Sequence, residues 1–113
     1  HLKLLCDGGK AFVECSIQTT KNVKVADVVW ASSSFYERNG NETPYKEAPE
    51  IVVEVASLSN TIEELMNKKE LYFEKGAKEV WLCSEEGAVS FYNAKGKMTE
   101  SLQCPPFPSA IEA

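Results

Sequence analysis

The hydrophobic pattern changes period once, near the middle of the chain, and that change constrains the fold most. Ile51–Ala56 (IVVEVA) is a β-branched apolar run interrupted only by Glu54, the pattern of a buried central strand. Next come the capping residues Ser59, Asn60 and Thr61, with Glu63 and Glu64 three positions after Asn60 and Thr61. Ile62, Leu65, Met66, Tyr72 and Phe73 then recur at helical spacing. Lys75 and Gly76 supply the stop, so a helix is expected over Thr61–Lys75. Glu79–Ser84 (EVWLCS) returns to strand composition. Strand, helix, strand requires a crossover and hence at least one parallel pair.

The flanking segments add hairpins. Lys10–Gln18 and Val23–Ala31 read as strands joined by a turn at Lys21-Asn22. Ser32–Pro49 is polar, with Asn-Gly and Thr-Pro steps, and reads as a loop. Ala88–Asn93 is a return strand after the Glu85-Glu86-Gly87 turn, and Lys97–Leu102 adds a last strand. The tail after Leu102 is rich in Pro and reads as irregular surface chain. The expected order is β-β-β-α-β-β. This is an α/β arrangement of the α+β kind, a mixed sheet with one main helix packed on a face. The 113 residues are expected to form a single domain.

Charge and cysteine usage narrow the function classes. Seventeen acids against twelve bases give a net charge of −5, which excludes a basic coat that grips nucleic acid by bulk charge. No apolar run is long enough for a membrane-spanning helix. Cys6, Cys15, Cys83 and Cys104 form no CxxC pair, and with His1 as the sole histidine a zinc site is not expected. Reduced thiols and a cytoplasmic home are the expectation.

Two acids stand where strand propensity disfavours them. Glu54 interrupts IVVEVA, and a carboxylate there costs free energy unless it is paired, protonated or bound to a metal. A half-exposed strand with Val53 and Val55 inward and Glu54 outward fits the alternation equally well. Asp27, one of only two Asp residues, interrupts VKVADVVWA in the same way. Two such acids on neighbouring strands suit a divalent cation held by oxygen ligands, which can act on a phosphodiester. A nearby lysine would orient water or neutralise developing charge. The helix offers Lys68 and Lys69. At about 100° per residue, Lys69 falls in the stripe of Ile62, Met66 and Phe73, and Lys68 on its flank one turn from Tyr72. Both also suit lysines that merely snorkel from a half-buried helix.

The strings Ala26-Asp27-Val28-Val29, Ala48-Pro49-Glu50-Ile51-Val52-Val53-Glu54-Val55-Ala56-Ser57, Lys68-x3-Tyr72-x3-Gly76 and Glu79-Val80-Trp81-Leu82 occur in that order. In this the chain resembles the Uma-two family of putative restriction endonucleases, within the PD-(D/E)XK nuclease superfamily, over Val25 to Tyr92. The resemblance implies a restriction-endonuclease-like domain across 1–113 and metal-dependent hydrolysis of DNA. It implies that Asp27 and Glu54 bind Mg²⁺, with Mn²⁺ as substitute and the Val55 carbonyl as an added ligand. The superfamily's lysine position, two after the second acid, is Ala56 here. The family's place for it on the helix is Lys68, with Lys69 the neighbour. Ala26 stands where the family leads one to expect Pro. The family's N-terminal helix with its acid is mostly lacking, so the N-terminal region is expected to be missing. The alternative is a catalytically inactive nuclease-fold module acting in binding or assembly. Exposed sheet edges suggest a homodimer that presents two clefts to a duplex.

Overall fold

The computed structural model describes residues 9–40, 44–57 and 61–104. His1, Cys6, Asp7, Ser59, Asn60 and the Pro-rich tail beyond Cys104 lie outside the described residues, as does the side chain of Ile62.

Six strands form one mixed sheet whose spatial order equals the sequence order. β1 (Gly9–Gln18) and β2 (Val23–Ser32) make an antiparallel hairpin, and β3 (Ile51–Val55) pairs antiparallel with β2. β3 and β4 (Glu79–Cys83) are parallel, because the helix α2 (Ile62–Glu74) carries the chain back between them. β5 (Val89–Asn93) and β6 (Gly96–Met98) complete the sheet as antiparallel hairpins. α2 begins where expected. The Thr61 hydroxyl accepts from the Glu64 N–H at 3.1 Å, satisfying one of the orphan donors of the first turn.

A second helix corrects the expected loop at Ser32–Pro49. Helix α1 spans Ser33–Asn39. Ser32 caps it, its Oγ accepting from the Phe35 N–H at 3.1 Å, and Ser32 in turn donates to the Glu50 carboxylate. Phe35 is fully buried and anchors the helix on the sheet. The serine run that reads as a loop is therefore a helix cap.

Both faces of the sheet are covered. On the α2 side Val29, Val52, Val80 and Leu82 pack with Leu65, Tyr72 and Phe35. On the other side Trp30, Ile51, Val53, Trp81 and Phe91 pack with Cys104. Trp81 and Phe91 meet edge to face at 5.1 Å. β3 is buried on both faces, as a central strand with a parallel neighbour should be.

The buried carboxylate of Glu79 shapes the end of the chain. Its Oε1 accepts from Trp81 Nε1 (2.8 Å) and Ser101 Oγ (2.6 Å). Its Oε2 accepts from the backbone N–H groups of Leu102 (2.8 Å) and Gln103 (2.7 Å). This clamp draws the chain off the sheet, so the last strand is Gly96–Met98 and not Lys97–Leu102. Cys15 and Cys83 are free, but Cys104 is disulfide-bonded. The expectation of reduced thiols is corrected at Cys104, and with it goes the thiol argument for a reducing compartment. No described helix is long and apolar enough to cross a membrane.

Substituting Glu79→Ala strands buried donors that the carboxylate satisfies. The expected loss is at least about 3 kcal/mol, read as a lowered urea midpoint.

Candidate active site

Glu54 faces α2 and is fully buried. The half-exposed alternative for this strand fails because both sheet faces are covered. Oε1 accepts from the Tyr72 hydroxyl at 2.7 Å and from Lys68 Nζ at 3.3 Å. Oε2 is buried with no hydrogen-bond partner. Glu79 makes the contrast clear, since both of its oxygens are saturated by donors. Burial pushes the Glu54 carboxyl above the ordinary range; the Tyr72 hydrogen bond and the Lys68 charge pull it back, and the Asp27 charge raises it. The Tyr72 hydroxyl is pushed well above its usual range by burial and by the Glu54 charge.

Asp27 lies at a break in the pleat. β1–β2 pairing runs to Val13–Val28 and resumes at Cys15–Ala26, skipping Glu14 and Asp27. Glu14 has φ 53°, a left-handed conformation costing a non-glycine residue about 1–2 kcal/mol. On one side of the break Phe12 and Val29 face α2; on the other, Cys15, Ile17 and Ala26 do. Both strands therefore change face there. β2–β3 pairing also ends at Val28–Val53. Past that point the Val55 N–H is bonded by the Asp27 carboxylate, at 2.7 Å, in place of a strand carbonyl. The strands part, and Asp27 is tied to the residue next to Glu54.

α2 delivers the cation. Leu65 and Tyr72 are fully buried against the sheet, and Lys68 lies between them on the same face. The buried stripe is thus centred on Leu65 and Tyr72, one position away from the expected Met66 and Phe73, which are only partly buried. Lys69 is buried but goes elsewhere: its Nζ is 3.2 Å from Glu70 Oε1 and 4.7 Å from the Tyr92 ring centre. The structure brings Asp27, Glu54 and Lys68 to one place and seats Lys69 on Tyr92. Val55, singled out for its carbonyl, gives its N–H to Asp27. Among the described residues no group of three or more His, Cys, Asp and Glu gathers, so the acidic donor set is two carboxylates. The role of Tyr72 was not anticipated, although its place four residues after Lys68 puts both on one helix face.

A family model described as "Putative restriction endonuclease" (Uma2) matches residues 1–112. The chain belongs to this family. The fold is also that of a crystal structure described as "a putative nuclease belonging to DUF820" from Anabaena variabilis. That structure has a TM-score of 0.65 and 18% identity over 90% of this chain and 61% of the other. The chain thus spans 61% of the length of that solved relative. No curated protein matches it.

In this Uma2 member the buried Glu54 makes stability depend on pH. The raised carboxyl binds its proton more tightly folded than unfolded, so its stabilising contribution is present at acid pH and lost as pH rises through the folded titration. Glu54→Gln removes that loss. In EDTA the variant is expected to be more stable than wild type at neutral pH, the difference vanishing below the ordinary glutamate range. Urea denaturation across pH measures both.

Proposed function

We propose that this Uma2-family chain is a metal-dependent endonuclease that hydrolyses DNA phosphodiester bonds. The observation that carries the reading is Glu54 Oε2, a buried carboxylate oxygen with no donor, on a residue whose other oxygen is held by Tyr72 and Lys68. A buried polar atom left bare is costly, and a bound cation is the partner that relieves that cost. Asp27, held beside it through Val55, adds a second carboxylate. Two carboxylates fit Mg²⁺, which keeps several waters and takes one or two protein acids; Mn²⁺ shares the oxygen preference. Asp27 and Glu54 would hold the ion, with the Val55 carbonyl as a further ligand by family analogy.

When bound, the ion supplies Lewis acidity toward the phosphodiester and lowers the pKa of a coordinated water. The chain's own residues set the stage for that chemistry. Tyr72 fixes Glu54 in one orientation. Lys68 stands partly open to solvent, with its ammonium on Glu54 Oε1, and can meet charge that develops on the phosphate. Water oxygen bonds to phosphorus as the bond to the leaving ester oxygen breaks; one water proton passes to solvent, and the leaving oxygen takes a proton from solvent to end as a hydroxyl.

Nicking of supercoiled plasmid with Mg²⁺ or Mn²⁺ tests the reading, alongside calorimetric Mg²⁺ titration. Asp27→Ala and Glu54→Ala are expected to abolish metal uptake and nicking. Lys68→Ala is expected to keep metal binding and lose at least about a hundredfold in rate, and Lys69→Ala to stay within a fewfold of wild type. Equal Mg²⁺ binding in all variants contradicts the site. Metal uptake without nicking favours the inactive binding module.

A further inference from the structure

The chain is acidic overall, yet the groove beside Lys68 is lined mainly by cations. A cavity of about 340 Å³ opens between the β1–β2 turn and α2, lined by Lys21, Lys24, Glu64, Asn67, Lys68 and Leu71. Three of these are lysines and one is an acid, the reverse of the balance of 17 acids to 12 bases in the whole sequence. Leu71 is buried and forms the floor. Lys24 pairs with Ile17 on the strand segment whose inward residues face α2.

The turn that carries Lys21 is built. The Thr19 hydroxyl donates to the Asn22 carbonyl at 2.6 Å and accepts from the N–H groups of Lys21 (3.3 Å) and Asn22 (3.2 Å). The Thr20 hydroxyl then donates to Glu74 Oε2 at 2.9 Å, clipping the turn to the last turn of α2. Lys68 is shared between the groove and the Glu54 carboxylate. The groove therefore leads directly to the candidate active site.

We propose that this groove is the track of the DNA backbone, with Lys21 and Lys24 each engaging a phosphate of the strand whose neighbouring phosphodiester reaches Lys68. The inference rests on the nuclease reading for its ligand and adds the surface that receives it. A chain of net charge −5 repels a polyanion at long range, so binding needs a local field of opposite sign. Lysines on a strand end and a turn held by Thr19 and Thr20 supply it, and they carry no base preference, as phosphate contacts require.

The test is fluorescence anisotropy of a short labelled DNA duplex with the full chain, in EDTA, over a series of salt concentrations. Two lost phosphate contacts are expected to make the log–log salt slope of Lys21→Gln/Lys24→Gln shallower by about 1.8. Lys95→Gln/Lys97→Gln, on the β5–β6 hairpin, is expected to keep the wild-type slope. A Lys21/Lys24 variant with the wild-type slope overturns the track, as does a wild-type chain with no duplex binding at low salt. Calorimetry separates the two readings: if the slope changes as expected but the wild type takes up no Mg²⁺, the nuclease reading falls and the track stands.

Discussion

Glu54 sets a physical problem that the rest of the structure answers only halfway. A carboxylate at the centre of a doubly covered sheet must be compensated. One oxygen is compensated, by a tyrosine hydroxyl and a lysine ammonium from the same face of α2. The other is left bare. A protein that needed this acid only for architecture has a better solution at hand, and uses it at Glu79, where side chains and backbone N–H groups saturate both oxygens. The half-satisfied state of Glu54 is a standing cost, and the cation proposed for this site would relieve it.

The strands part beside this buried carboxylate. β2 and β3 pair for only three residue pairs and then part. The parting coincides with the skipped pair in β1–β2, where Glu14 carries the backbone strain and both strands change face. Asp27 sits at the junction and turns an unpaired strand N–H into its own anchor. A regular hairpin would have closed this gap with ladder bonds. The irregularity thus gives the second carboxylate its position.

Much of this was legible in the sequence, for identifiable reasons. The change of period from IVVEVA to the helix and back fixed the parallel pair, and β-branched composition fixed β3 as central. Glu54 and Asp27 stood out because each breaks an apolar run that propensity favours. Other features depend on tertiary contacts that local patterns do not carry. The serine run before Phe35 becomes a helix because Glu50 holds Ser32 and the sheet buries Phe35. Glu79 looks like any residue opening a strand, and its clamp involves groups more than twenty positions away. Lys68 and Lys69 differ by one helical step, so sequence left both open; packing of Leu65 and Tyr72 on the sheet decides which one reaches Glu54. Lys21 and Lys24 were invisible as a pair with Lys68, since only the hairpin's position beside α2 brings them together.

The central claim is that Glu54 Oε2 and Asp27 together await a divalent cation. Crystals grown with Mn²⁺, with anomalous diffraction recorded at the manganese absorption edge, address it most directly. The account predicts one anomalous peak in contact with Asp27 and with the Glu54 oxygen that Tyr72 does not hold. A map with no peak there, from crystals in excess Mn²⁺, contradicts it.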